Sequence, residues 1–289
     1  MTMYQERVEK VLSAMEKMGL DQMLVSNPNS IWYLTGYYVF PYERMLALYL
    51  RRDGNHILFL NRLFPEPEAD CRQIWFSDTD DCVAMVAEQV DGSKPLGIDK
   101  EWPAMFLLPL MDRLPGCRCV LASDCVDDVQ ACKDSVEQEL MREASRINDL
   151  VMERAAERLK EGVTEKEIAD YIVSQYTAEG CDSEAFQTIV SFGPNAADPH
   201  HEPDDTVLKV GDCIVIDMGC KKARYCSDMT RTYFCKEAPA EYAAIHDLVR
   251  SANELAESMI RPGVPLCDLD KAARDHIAAV GYGEYFTHR

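Results

Sequence analysis

The chain reads as an α/β protein, grading into α+β, built from two domains. Three observations predict this. The first 125 or so residues alternate helical and extended patterns, and residues 135–180 then carry two helices with start signals of their own. Beyond them lie two β-branched apolar runs, each interrupted by an aspartate. At 289 residues and 47% hydrophobic content, the chain can bury two sizeable cores.

Taken in order, "YQERVEKVLSAMEKMG" has the 3.6-residue apolar period of a helix and stops at Gly19, and "MLVS" is a short buried strand. "LALYLRRDGNHILFL" places two apolar runs about Asp53-Gly54, the pattern of a β-hairpin. "QIWF" predicts a strand, 80–91 a helix, "PLGID" a strand, 101–113 a helix and "CRCVLAS" a strand, which together make a mixed sheet with helices. "DCVDDVQACKD" reads as a polar connection, and the domain boundary is expected near residue 127, giving domains 1–127 and 128–289.

Ser135 with Gln138 fits a capping box, and Leu140, Ala144, Ile147, Val151, Ala155 and Leu159 line one helical face up to Gly162. Thr164 with Glu167 caps a second helix that runs to about Gly180. A similar stretch begins at Ile245. It shares I-x-D-L-V with Ile147 onward, a Gly-Val turn (Gly162-Val163 and Gly263-Val264), and a second helix ending at Gly281. The pattern predicts an internal repeat. The first copy continues into strands and an aspartate-bearing hairpin. The second copy stops at "YGEYFTHR", so the sequence reads as truncated inside its second domain.

"CIVIDMGC" and "YCSDMTRTYF" flank "KKAR" as the two arms of an antiparallel hairpin. A turn centred on Lys222-Ala223 pairs residues whose numbers sum to 445, which sets Asp217 opposite Asp228. Two carboxylates that close repel each other, and burial adds to the cost. A shared proton, a basic neighbour or a metal ion relieves it. The Asp-Thr/Ser-Gly signature of a shared-proton dyad is missing, and Arg231, three residues from Asp228, falls on the other strand face. Carboxylate oxygens, with a histidine nearby, suit a divalent cation best. In the preceding loop "SFGPNAADPHHEPDD", His200 and His201 are adjacent and so point different ways.

The formal charge of −20 excludes nucleic acid and anionic membrane as partners, since both require a basic surface. No stretch reaches the ~20 apolar residues of a membrane span, and the N-terminus has no apolar signal core. Twelve cysteines without a CxxC pair read as free thiols in a reducing cytoplasm.

"FGPNAADPHHEP", "VLKVGDCIVIDMG", "YCSDMTRTY" and "YFTHR" resemble the signatures of the creatinase/prolidase "pita-bread" metallopeptidases, and "GLDQMLVSNPNSIWYLTG" resembles the creatinase-type N-terminal domain. That domain favours the Xaa-Pro dipeptidase and aminopeptidase branch. The resemblance implies a creatinase-like α/β domain followed by an incomplete pita-bread domain. It implies that Asp217 chelates one metal ion and that Asp228 bridges two. His200 would contact substrate and assist proton transfer beside the metal. His288 would be a substrate-contacting residue just before the metal-binding histidine of the family's "HR-x-G-H-x-x-G" segment. That histidine and two later glutamates are not in this sequence, so the 289-residue chain is expected to be inactive by itself.

The implied activity of the complete protein is hydrolysis of Xaa-Pro bonds by two divalent ions (Mn²⁺, Co²⁺ or Zn²⁺) sharing a water. Proline-containing peptides are the expected partners, with a homodimer as the assembly. Two other readings stand beside it: a creatinase-like C–N hydrolase, and a non-catalytic binding module on the same fold. The retained aspartate pair counts against both.

Overall fold

The computed structural model describes residues 3–68 and 70–287, which fall into two compact units dividing between Lys133 and Asp134. The N-terminal unit is built on a six-stranded sheet. Its strands are β1 (Gln22–Val25), β2 (Ala47–Arg51), β3 (Ile57–Asn61), β4 (Arg72–Phe76), β5 (Leu96–Ile98) and β6 (Cys119–Leu121), in the order β4-β3-β2-β1-β5-β6. β2 and β3 pair antiparallel about the Asp53-Gly54 turn, whereas β3–β4, β1–β5 and β5–β6 are parallel.

The three central strands are apolar at nearly every position because both sheet faces are covered. Met23, Val25, Leu48, Leu50, Leu58 and Leu60 join the core that also holds Val11, Met15, Ile31 and Val126, from α1 (Gln5–Lys17), α2 (Pro28–Thr35) and α5 (Asp124–Ala131). Leu24, Ala47, Tyr49, Ile57 and Phe59 join the opposite core with Val86 and Leu110, from α3 (Cys82–Ala87) and α4 (Ala104–Arg113).

Three stretches of this unit depart from what the sequence pattern predicts. α2 was not evident in the sequence; Asn27 starts it, its side chain accepting from the N–H groups of Asn29 and Ser30. α3 and α4 are shorter than 80–91 and 101–113. The segment read as a polar connection is helix α5, because Cys125 and Val126 turn inward and are buried.

The second unit begins with α6 (Ser135–Ala156) and α7 (Glu165–Ala178). Each opens on a capping box, Thr164 with Glu167 as read, but Asp134 with Glu137 in place of Ser135 with Gln138. Asp134-x-x-Glu137 is the same motif one residue earlier, with an acid at both positions. The remaining strands are β7 (Ser183–Glu184), β8 (Ile189–Phe192), β9 (Cys213–Met218), β10 (Cys220–Lys222), β11 (Tyr225–Cys226) and β12 (Met229–Phe234). They form two small sheets, β12-β9-β8 and β11-β10-β7. Ile214, Ile216, Met218, Val190 and Phe192 pack one sheet face onto Ala144, Ile147, Val151, Ile168, Ile172 and Tyr176 of α6 and α7.

A second helical pair follows, α8 (Ala240–Ser258) and α9 (Leu266–Ala278). Gly162 and Gly263 both take positive φ in the inter-helix connections, as do Gly180 and Gly281 just past the second helices. Corresponding turns of the two sequence copies thus each carry a glycine at positive φ.

Candidate metal centre

The aspartate hairpin closes differently from the sequence expectation. Lys222 pairs with Tyr225, and the two-residue turn is Ala223-Arg224, both at positive φ (48° and 69°). Such a turn matches the twist of the strands it joins. The Arg224 N–H donates to the Asp182 carboxylate at 2.8 Å, which fixes the turn from a distant segment. Every pair is shifted by one residue on one arm and one on the other, so Asp217 stands opposite Thr230.

The arms are also not continuous. At Gly219 the Ser227 carbonyl comes so close that a Cβ would lie 2.1 Å from its oxygen, and the ladder breaks between β9 and β10 on one arm and β11 and β12 on the other. Asp228 sits in that break, just before β12. Asp217 and Asp228 are therefore diagonal neighbours on one side of the hairpin, with Arg231, opposite Ile216, on the other.

Both aspartates line a cavity of about 450 Å³ with Phe186, Gln187, Ile189, His200, His201 and Glu202. Ile189 is there by register, directly opposite Asp217 on β8. β9 is held from behind by Asn148 of α6, whose side-chain amide donates to the Met218 carbonyl at 3.2 Å and whose oxygen accepts from the Tyr176 hydroxyl.

Burial pushes the Asp217 carboxyl above its ordinary range. The Thr230 hydroxyl pulls the other way, the charge of Asp228 raises it further, and His200 lowers it. Among the described residues, Oδ1 of Asp217 is buried without a hydrogen-bond partner, as is the hydroxyl of Ser191 on the same strand face. A buried carboxylate oxygen without a donor is costly in a folded protein. Beside a second carboxylate, in a cavity, it is the donor set that a hard or borderline divalent cation takes. The residues present fit such an ion.

The two histidines divide. His200 is exposed at the cavity, with its backbone N–H donating to the Asp198 carboxylate at 2.9 Å. His201 is turned to Glu165, with Nε2 2.7 Å from the carboxylate. Glu165, His201 and Asp204 gather three potential ligand atoms within 4.8 Å of one another, a grouping the sequence did not disclose. His288 lies outside the described residues.

Residues 139–289 match metallopeptidase family M24, and residues 7–132 match the creatinase/prolidase N-terminal domain. The chain belongs to the M24 metallopeptidases. It is 30% identical over 290 residues to an uncharacterized peptidase of Staphylococcus aureus, an alignment covering 98% of this chain and 81% of that one. Among solved structures, it is similar to a prolidase from Thermococcus sibiricus (30% identity, TM-score 0.89, 99% of this chain and 80% of that one). It is also similar to a dipeptidase from Mycobacterium ulcerans (32% identity, TM-score 0.90, 99% and 79%). This M24 chain is thus a creatinase-like N-terminal domain followed by a pita-bread-type domain, and it is a hydrolase of a metal-dependent family. Among its described residues, no helix is long and apolar enough to cross a membrane.

Proposed function

We propose that the protein hydrolyses peptide bonds that precede proline, using divalent ions held by Asp217 and Asp228. The observation that carries this reading is the partnerless buried Oδ1 of Asp217 in a cavity that also holds Asp228 and His200. The similarity to a prolidase and a dipeptidase supplies the substrate class. When bound, such ions lower the pKa of a water toward neutrality and polarise a carbonyl.

The chain's own residues supply position. Asp217 and Asp228 hold the charge on a strand and a strand break anchored to α6 and α7. His200, exposed in the same cavity, can exchange a proton with the reacting group. Phe186 and Ile189 offer an apolar wall for a pyrrolidine ring. A bond before proline has no N–H, so recognition falls to the ring and the free amino terminus instead.

Manganese as the working ion, two ions per site, a homodimer and a cytoplasmic location are the finer parts of the same reading. The deciding experiment is hydrolysis of an Xaa-Pro dipeptide, an Xaa-Pro tripeptide and an Xaa-Ala control by the full-length protein. EDTA should abolish cleavage of the Xaa-Pro bond and Mn²⁺ should restore it, with the Xaa-Ala peptide cleaved at least about tenfold more slowly. Activity indifferent to chelation, or equal cleavage of the control, would overturn the proposal.

A further inference from the structure

The loop that carries His200 is held by one side chain. Glu165 is the first residue of α7, and its carboxylate is wholly buried. Oε1 accepts from the Phe192 N–H at 2.7 Å and from the Asn195 side-chain amide at 3.0 Å. Oε2 is paired with His201 Nε2 at 2.7 Å and accepts from the Asp204 N–H at 3.2 Å. These four partners come from the strand end before the loop, its 3₁₀ turn, its middle and its far side. A carboxylate has about four lone-pair sites, so this one is saturated. The Glu165–His201–Asp204 grouping is accordingly a hydrogen-bonded anchor with no acceptor position left for a cation.

The anchor has a consequence for the residue before His201. His200 stands in a turn closed by the His201 N–H donating to the Asp198 carbonyl at 3.3 Å, so with the His201 ring held on Glu165 at the cavity wall, His200 is the exposed imidazole of the two in the cavity that holds Asp217 and Asp228. We propose that Glu165, through His201, is the positioning residue that selects His200 as the imidazole presented to substrate. This rests on the reading of the cavity as the hydrolytic site, and it makes Glu165 a determinant of that site although it does not line the cavity.

The test compares wild type, Glu165→Gln, His200→Ala and the double variant. The glutamine NH₂ cannot accept where a carboxylate oxygen did, so one side of the anchor is lost with little change in volume. Glu165→Gln should lower kcat about 10–100-fold while Mn²⁺ affinity, read by calorimetry, stays within about twofold. In the His200→Ala background, Glu165→Gln should cost almost nothing more, because the two act as one unit. An equal loss in both backgrounds, or a loss of Mn²⁺ affinity, overturns the proposal.

A second readout does not need activity: diethylpyrocarbonate modification, mapped by mass spectrometry. In wild type, His200 should react about tenfold or more faster than His201, the protection expected of a hydrogen bond to a charged group. In Glu165→Gln the two rates should converge. If Glu165→Gln fails to fold, His201→Gln, which disturbs one partner of the four, should give a smaller kcat loss that again vanishes with His200→Ala. Convergent rates in a protein that cleaves no Xaa-Pro bond would overturn the function while the positioning stands. Rates that stay apart in Glu165→Gln overturn the positioning whatever the activity.

Discussion

Asp217 carries an electrostatic cost that follows from its place on β9. Burial is the main cause of its raised pKa, with the Asp228 charge adding to it. An acid whose folded pKa exceeds its ordinary value of 3.8 contributes stability fully below that value and loses it as the pH rises through the raised one. At neutral pH the metal-free fold therefore holds a half-buried carboxylate that disfavours it. Asp217→Asn should raise the melting temperature of the metal-free protein at pH 7, and the gain should fade as the pH is lowered toward 4. Mn²⁺ should reverse the order, stabilising wild type, while Asp217→Asn loses affinity by about tenfold or more. Scanning calorimetry between pH 4 and 7, with and without Mn²⁺, checks both signs. At this same scale, the adjacency of His200 and His201 showed only that the two would part; both line the cavity, but His201 is held by Glu165, 36 residues away, and His200 is the exposed one.

At the scale of elements, apolar patterning located the strands and the facing of their side chains, but not their register. The hairpin expected to pair Asp217 with Asp228 pairs Asp217 with Thr230. Both registers put the same residues on the same face, since side chains alternate with period two, so the pattern could not choose between them. The choice lies in the Ala223-Arg224 turn and its bond to Asp182. Gly219 is the other determinant. A methyl group there meets the Ser227 carbonyl at 2.1 Å and the Phe186 ring at 2.9 Å, and a backbone carbonyl whose residue is tied to Cys220 between two strands cannot yield cheaply. Gly219→Ala should cost about 3 kcal/mol, the upper end for overpacking, and weaken Mn²⁺ binding because Asp217 and Asp228 flank the displaced segment. Urea denaturation and calorimetric titration would show this; an unchanged midpoint would mean that the strands separate there without penalty.

For the molecule as a whole, the cores show how the chain is divided. Two of them draw only on residues before Asp134 and the third only on residues after it. Residues 1–133 expressed alone should fold cooperatively, with dispersed amide signals and a single urea transition, since their sheet is already covered on both faces. A molten or aggregated product would show that the six-stranded sheet needs the rest of the chain. The sequence by itself determined the α/β alternation, the Thr164–Glu167 cap of α7 and the presence of a second helical pair, because these arise from periodicity and from residues within a few positions of one another. It also located the aspartates, His200 and the motifs by which the family was recognised. Only the tertiary structure decided the hairpin register, the inward turn of α5, the break at Gly219 and the Glu165 anchor. Each of those depends on a contact between segments far apart in the chain, where backbone conformation and packing choose among arrangements that local patterns leave equivalent.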